Sequence, residues 1–495
     1  MDTSAQFDTH TEAQLDAKFE KRLVRKIDRR IMPLICLAYL LNYIDRTNLG
    51  NARTLNNDAK DGSTMNEMLN ITGSRYTLVV AIFFVPYIIF EFPSNFLLKW
   101  MGPRVMLTRI TVLWGIVTMC TAACTTYGGL VACRICLAIA EAGFFPGVIM
   151  YLCFWYKPEE RGARIAVFLG FVSVSGATGG LIATACSYLN HKGNLHGWQW
   201  LYILEGIPAV LFGIVLFFLL PDFPETAKFL NDQEKVFAST RLGPYAPKMS
   251  DKHFVGSEIW ATIRALDFWL FALTQILITM SVDHCLNAFS YFAPSLIAGF
   301  GFKGAAAQAL IIPPNCFGFI VIVANSWLSD RRGRRPEHII GGLALIAIGF
   351  ILLAIVKSSV GGRYVGILLI ACTNSAVAPL LAMRTSTVSG ASATAVASAG
   401  IAAFANISGI TAPFIYNSKT APHYIPALWV SVGFIFGAIT CVCALWYRLG
   451  PGAGYTPKAE SPISPPVDYS RDVEDFSDGR KDKDLKLTQV TVGQV

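Results

Sequence analysis

Residues 31–52, with the sequence IMPLICLAYLLNYIDRTNLGNA, are long and apolar enough to cross a membrane, yet they contain the charged pair Asp45 and Arg46. Placing one ionised side chain at bilayer depth costs about 2.5 to 3.5 kcal/mol on insertion scales, so such groups usually face a protein interior or an aqueous cavity. Asn42 and Asn48 add polar groups on the same turns of the predicted helix. The stretch therefore indicates either a structural ion pair or, as we favour, part of a transport pathway.

Composition extends this interpretation to the whole chain. Apolar residues make up 53% of the 495 positions and charged residues 15%, whereas soluble domains carry about 25% charge. Apolar stretches of about 20 residues suit a hydrocarbon core of roughly 30 Å. The sequence predicts an all-α integral membrane protein with twelve transmembrane helices, at residues 31–52, 76–98, 105–126, 129–152, 165–189, 200–220, 267–293, 305–328, 338–357, 363–383, 392–416 and 425–447.

Basic residues predict the orientation. With the N-terminus inside, 31 of the 41 Lys and Arg residues lie on or next to the inner side, and 8 lie on the outer side. The positive-inside rule therefore predicts that both termini are cytoplasmic. The net charge of +8 reflects this bias toward anionic membrane lipid. It does not call for a nucleic-acid partner.

The order of the spans suggests two repeated halves around a site near the membrane midplane. We expect two six-helix halves, two polar tails with too little apolar content to form a core, and a central loop. The predicted boundaries are a cytoplasmic N-terminal tail at 1–30, the first half at 31–220, a cytoplasmic loop at 221–264, the second half at 265–447 and a cytoplasmic C-terminal tail at 448–495.

Motifs for enzymes and cofactors are weak. The twelve cysteines fall almost entirely in apolar spans, and the seven histidines are scattered, so no metal site is predicted. The G-x-G-x-x-G match at residues 299–304 joins two spans and follows no strand, which argues against a dinucleotide site. The chain is expected to be neither an enzyme nor a cofactor-binding protein. Asn70 begins an N-x-T sequence in a predicted outer loop and is a candidate for glycosylation.

A charged motif, DRRGRR at residues 330–335, lies in a short loop between predicted spans 8 and 9. Gly333 permits a tight turn, and Asp330 can cap a helix end and pair with a basic residue across an interface that must open during transport. A plain solvated charge cluster is the alternative. We favour a gating role for Asp330, Arg331, Gly333 and Arg334.

The chain resembles the major facilitator superfamily, and within it the anion:cation symporter branch of fungal allantoate and nicotinate permeases. The resemblance covers about residues 30 to 450 and implies the major facilitator fold. The matching segments are NYIDRTN at 42–48, EAGFFPG at 141–147, ERG at 160–162, GWQWLYILEG at 197–206 and PDFPE at 221–225.

The resemblance also implies roles for charged residues. Positions matching Asp45 and Glu141 titrate during transport in related sugar-acid symporters, and those matching Arg46 and Arg134 attract or position the carboxylate. Arg134 and Glu141 lie seven residues apart, which places them on one helix face about 10 Å apart along the axis. We therefore expect Asp45 and Glu141 to couple to protons, and Arg46, Arg134 and the adjacent Tyr43 to bind the substrate.

Further polar residues are candidates for selectivity. Asn287 and Tyr291 recur at helical spacing on predicted span 7, and Asn406 begins a resemblance to the family's N-x-x-G-x-x-x-P in span 11. Each is a predicted substrate ligand, with hydrogen bonding to a neighbouring helix as the alternative. Glu91 and Glu205 also lie near membrane depth, with either a direct or a structural role.

The predicted function is proton-coupled import of a small organic carboxylate such as nicotinate, allantoate or a related vitamin or metabolite. The chain is expected to act as a monomer in the plasma membrane, with its substrate, a proton and lipid as partners. The alternative is export of a secondary metabolite or drug by proton antiport. Span 5, residues 165–189, lacks the G-P kink expected of such exporters, which favours import. A sensor that has lost transport is a third possibility.

Overall fold

The computed structural model describes residues 3–56, 61–242, 256–281, 312–356, 359–388, 391–415 and 425–450. The regular elements of these residues are helices. Besides two short 3-10 turns, they are α1 Thr3–Thr54, α2 Met65–Met68, α3 Gly73–Met101, α4 Pro103–Thr121, α5 Tyr127–Glu141, α6 Phe144–Cys153, α7 Pro158–Ser187, α8 Gly197–Leu219, α9 Asp232–Thr240, α10 Gly256–Arg264, α11 Leu266–Ser281, α12 Ile312–Arg332, α13 Arg335–Ile355, α14 Val360–Ile370, α15 Asn374–Ser386, α16 Ala391–Ile415 and α17 Ile425–Leu449.

Within these described ranges, ten helical segments are long and apolar enough to cross a membrane, with α5–α6 and α14–α15 each counted as one. The pair α10–α11, bent by 64°, raises the number to eleven. This confirms the all-helical membrane fold. Helix α1 is not among the ten, because Asn42, Asp45, Arg46 and Asn48 lower its hydropathy, yet it packs along α7 and α8, which are. The count of twelve spans stays a prediction.

Small residues allow the closest helix packing. Helices α4 and α8 meet where Gly115 faces Gly206, and a Cβ added at Gly206 would lie 2.7 Å from the Gly115 carbonyl oxygen. Close approach of this kind is the usual means by which membrane helices associate. Large apolar side chains on the outer surface, such as Ile89, Leu181 and Ile320, stay exposed. They form the surface that lipid is expected to cover.

Helices from the two predicted halves contact each other along two seams. Helix α3 packs against α16, and α7 packs against α12 and α15. A hydrogen bond from Asn95 Nδ2 to the Ala395 carbonyl, at 3.1 Å, crosses the first seam. The predicted boundaries at 31–220 and 265–447 stay predictions, and these seams are where movement of one half against the other would be felt.

Candidate functional site

Glu141 lies at the break of a discontinuous helix. Helix α5 ends at Glu141, Ala142 is extended, and Gly143 adopts a left-handed conformation with φ of 88° before α6 begins. The Ser94 hydroxyl donates to the Ala142 carbonyl, and a Cβ at Gly143 would overlap the Ser94 side chain. The E-A-G sequence therefore places a carboxylate at the end of a half-helix, an arrangement that membrane transporters use for binding sites.

Two donors from α1 hold this carboxylate. Asn42 Nδ2 donates to Oε1 of Glu141 at 2.6 Å, and Arg46 Nε donates to Oε2 at 3.1 Å. Glu141 is fully buried, whereas the Arg46 side chain remains 24% exposed. The ion pair therefore has one partner sealed in protein and the other partly open.

Aromatic rings surround the open partner. The guanidinium carbon of Arg46 lies 4.7 Å from the Tyr87 ring centroid and 5.6 Å from that of Phe83. Tyr43, one turn of α1 away, packs edge-on against Tyr39 at 6.1 Å. A cation over aromatic faces is stabilised by the ring quadrupoles while its edges stay free for hydrogen bonds. The surroundings of Arg46 thus combine positive charge with flat apolar walls.

A second polar group occupies another part of α1. Arg134 Nη2 donates to Asn48 Oδ1 at 3.3 Å, so this hydrogen bond of Arg134 goes to α1 and not to Glu141. Asp45 is 1% exposed, and neither of its carboxylate oxygens has a hydrogen-bond partner in the part of the chain that the structure describes. Glu205, Glu141 and Arg134 act on it electrostatically. Both predicted proton-coupling residues, Asp45 and Glu141, are thus buried, and an arginine acts electrostatically on each of them.

Glu91 brings a third carboxylate to this region. Its side chain is fully buried, and its two oxygens lack a hydrogen-bond partner among the described residues. Arg46 acts on it electrostatically, and Asn406 of α16 lies beside it, across the seam between α3 and α16. Asn406 Nδ2 itself donates to the Ala402 carbonyl at 2.8 Å. Among the described residues, Asn406 is therefore a predicted ligand from the second half that the structure brings to the site.

Asn287 and Tyr291 fall outside the described residues. Glu205 is buried at 4% exposure near Asp45, again with no partner for its oxygens among the described residues. Asn70 is exposed in a left-handed conformation with φ of 53°, and its carbonyl accepts from Arg75 at 2.9 Å. It is accessible for glycosylation, which stays a prediction.

The DRRGRR motif forms a link between the halves. Asp330 accepts a hydrogen bond from the Ala163 backbone N–H at 2.7 Å, in the second turn of α7. Arg335, 3.5 Å from Asp330, donates to the Ser386 hydroxyl at 2.8 Å and to the Pro158 carbonyl. We call this set of contacts the latch. It joins α12 and α13 to the start of α7.

Gly333, Arg331 and Arg334 of the motif take no part in these contacts. Gly333 makes the turn with φ of 69°. Arg331 lies 5.3 Å from the Trp327 ring, and the exposed Arg334 pairs with Glu337 at 3.2 Å. Sequence reasoning missed Arg335, whose side chain is fully buried. A run of like charges carries no apolar periodicity that could have identified it as buried.

The sequence is similar to those of known membrane transporters. Residues 35–413 match the family model described as Major Facilitator Superfamily. The MFS transporter prlL of Fungal sp. strain NRRL 50135 is 33% identical over 423 residues, 83% of each chain. A protein of Agrobacterium vitis, provisionally named a tartrate transporter, is 32% identical over 391 residues, 78% of this chain and 85% of its own.

The solved structure of the proton:xylose symporter XylE matches with a TM-score of 0.68 and 16% identity, over 86% of this chain and 97% of XylE. At that identity the likeness shows the fold alone. The family model and the sequence relatives carry the assignment further, because they cover most of the chain. The chain belongs to the major facilitator superfamily and is a membrane transporter of small molecules, not an enzyme.

Proposed function

We propose that this transporter imports a small organic carboxylate together with a proton. The observation that carries the proposal is the ion pair between the fully buried Glu141 and the partly exposed Arg46. An arginine fork binds carboxylates in a bidentate manner, which a lysine does not. Arg46 is therefore suited to bind a substrate anion, and the aromatic rings of Tyr87 and Phe83 beside it suit a flat or apolar substrate body.

Sharing of Arg46 couples the two ions. A substrate carboxylate that engages Arg46 competes with Glu141 for the same cation. A buried carboxylate that loses its cation is strongly disfavoured, so a proton on Glu141 replaces the lost charge. Substrate and proton then occupy the site together, and release of one favours release of the other.

Asp45 extends this coupling. It is buried, and Glu205, Glu141 and Arg134 all act on it electrostatically, so these carboxylates compete for a small number of positive charges. Interacting carboxylates in one site titrate as a group, not as separate residues. The proton is carried by Glu141 or Asp45, and Arg134 helps to position the anion.

The substrate class rests on the site and on relatives. The provisional name of the Agrobacterium vitis relative gives tartrate as its cargo, and the sequence resemblance points to allantoate and nicotinate permeases of the anion:cation symporter branch. These compounds share an ionised carboxyl group. We propose that Arg46, Arg134, Tyr43 and Asn406, with Asn287 and Tyr291 from predicted span 7, recognise it.

Movement completes the cycle. In the proposed cycle the latch closes one end of the bundle, and the halves separate there when the substrate leaves. Asp330 and Gly333 act in this step together with Arg335. Arg331 and Arg334, on the exposed side of the same turn, assist without joining the contacts of the latch. We propose that this end is cytoplasmic and that the protein works as a monomer in the plasma membrane.

Uptake by cells that lack their own carriers tests the proposal. Labelled nicotinate, allantoate and tartrate are supplied at pH 5 and pH 7, with and without a protonophore. We expect saturable uptake of at least one acid that is faster at pH 5 and abolished by the protonophore. Uptake that survives collapse of the proton gradient would indicate a uniporter. Outward movement alone would support the alternative function, an exporter driven by proton antiport.

A further inference from the structure

A cavity of about 470 Å³ lies away from the transport site, at the end of the bundle where α1 enters its predicted span, α4 begins and α8 has ended. Its lining includes Arg30, Arg104 and Lys228, together with Asp222 and the aromatic Trp100. We propose that it binds the phosphate headgroup of an anionic glycerophospholipid. This site is separate from the transported substrate and does not depend on the function proposed above.

Charge is the first argument. Three basic side chains line the cavity against one carboxylate. That carboxylate, Asp222, is already engaged, because it accepts from the Arg104 backbone N–H at 2.8 Å and lies 3.3 Å from Arg104 Nε. Among the residues described, neither Arg30 nor Lys228 is paired with a carboxylate, and Nε of Arg30 is buried with no hydrogen-bond partner there. The cavity therefore presents uncompensated positive charge to an incoming anion.

The rim distinguishes a lipid from a free anion. Trp100, near the end of α3, is 68% exposed, and Phe218, near the end of α8, is 73% exposed. Aromatic side chains at the ends of membrane helices lie at the headgroup level. Acyl chains can cover these rings while the phosphate reaches the cations. Basic pockets between membrane helices, on the side that carries the positive charge, are suited to acidic lipid headgroups.

Location gives the lipid a structural effect. The cavity joins three pieces of the chain: Arg30 before predicted span 1, Gly102–Arg104 at the turn between α3 and α4, and the segment after α8. The turn is tight, with Gly102 at φ of 85° and Asp222 Oδ1 3.2 Å from the position that a Cβ would take. A bound headgroup would hold these pieces together without touching Glu141 or Arg46.

Native mass spectrometry of the full chain in detergent tests this site. The protein is titrated with phosphatidylserine, with phosphatidylcholine as the neutral lipid and with inorganic phosphate as the free anion. We expect phosphatidylserine to bind best, and the double variant Arg30→Gln with Lys228→Gln to lower its affinity by about tenfold or more, since each cation near a headgroup adds substantially to binding.

The matched control is Lys21→Gln with Arg22→Gln, which removes two exposed cations from the same helix outside the cavity. It should change phosphatidylserine affinity by less than about twofold. Equal losses in both double variants, or no loss in either, would overturn the site. Phosphate that competes with phosphatidylserine at equal concentration would overturn the choice of a lipid. Thermal melting of each variant confirms that the comparison is made between folded proteins.

Discussion

At the scale of single residues, Glu141 and Arg46 make a prediction that separates coupling from binding. Glu141→Gln keeps the side-chain volume but cannot ionise, so it behaves as if permanently protonated. We expect it to lower concentrative uptake about tenfold or more, while exchange of labelled for unlabelled substrate continues, because exchange needs no net proton movement. Thr54→Ala is the control, since this exposed hydroxyl bonds to carbonyls of its own helix. Equal loss of both activities would contradict the role of Glu141.

Glu91 carries a separate prediction. It is fully buried without a hydrogen-bond partner among the described residues, beside Asn406 and under the influence of Arg46. If it exchanges a proton during transport, Glu91→Gln should flatten the pH dependence of uptake and leave KM within about twofold, because the amide preserves shape but not titration. Uptake is measured from pH 5 to 8, with the exposed Glu159→Gln as control. An unchanged pH profile would make Glu91 structural.

Residue identities in the site are predictable from the sequence, but their pairing is not. The charged helix and the EAGFFPG segment are enough to single out Arg46 and Glu141. The spacing of Arg134 and Glu141 places both on one helix face, but it does not show that α1 supplies a hydrogen-bond partner to each of them. Which faces of two helices meet depends on packing of the whole bundle, and helical periodicity within one segment carries no such information.

At the scale of elements, ion pairs dock the first part of α1 onto α7 and α9. Glu20 lies 2.6 Å from Lys157 and 3.0 Å from Arg241, and Glu234 lies 2.6 Å from Lys26. Partial burial raises the pKa of Glu20, but Lys157 and Arg241 outweigh it and hold that pKa below its ordinary value. Burial likewise raises the pKa of Glu234. Hydrogen bonds from Lys26 and from the Asn231 backbone N–H outweigh this effect and hold that pKa below its ordinary value.

A lowered pKa in the folded state sets the direction of the pH effect. The stabilisation is fully present above the ordinary glutamate pKa and is lost as pH falls through the lower folded value. We expect hydrogen exchange of residues 18–30, corrected for intrinsic rates, to stay slow from pH 7 to about 5 and to quicken below about pH 4. In the double variant Glu20→Gln with Glu234→Gln, hydrogen exchange of these residues should be fast already at pH 7. In the control Asp232→Asn, at an exposed position, it should stay slow at that pH. Loss of protection between pH 7 and 6 would exclude these carboxylates as the cause of the pH effect.

The latch shows how far a motif can be interpreted at the level of elements. The position of DRRGRR between two spans indicates a gating role, yet its arginines differ in environment. Gly333 turns the chain so that Arg334 meets solvent and Arg335 enters the protein. Exposure of neighbouring residues is decided by the turn and by the helix that follows it. A run of like charges has no apolar periodicity from which to infer it.

For the whole molecule, the seams and the latch predict that transport needs the two halves to separate at the latch. Ala163 and Asp330 lie on opposite halves and are joined by a 2.7 Å hydrogen bond. Cysteines at both positions, joined by a short cleavable thiol cross-linker, should lower uptake about tenfold or more while substrate still binds, because the opposite end can still open. Cleaving the linker should restore uptake.

The two single-cysteine variants, treated with the same reagent, control for the native cysteines and for loss of Asp330 itself. Their uptake sets the reference rate, and binding is measured by protection of the protein against thermal unfolding. A cross-linked double variant that transports at this reference rate would mean that substrate leaves by a route that does not part the latch. Loss of both transport and binding would place the effect at the site itself. Uptake blocked with binding intact is the result that alternating movement of two halves requires, since a site between them can stay loaded while its exit is held shut.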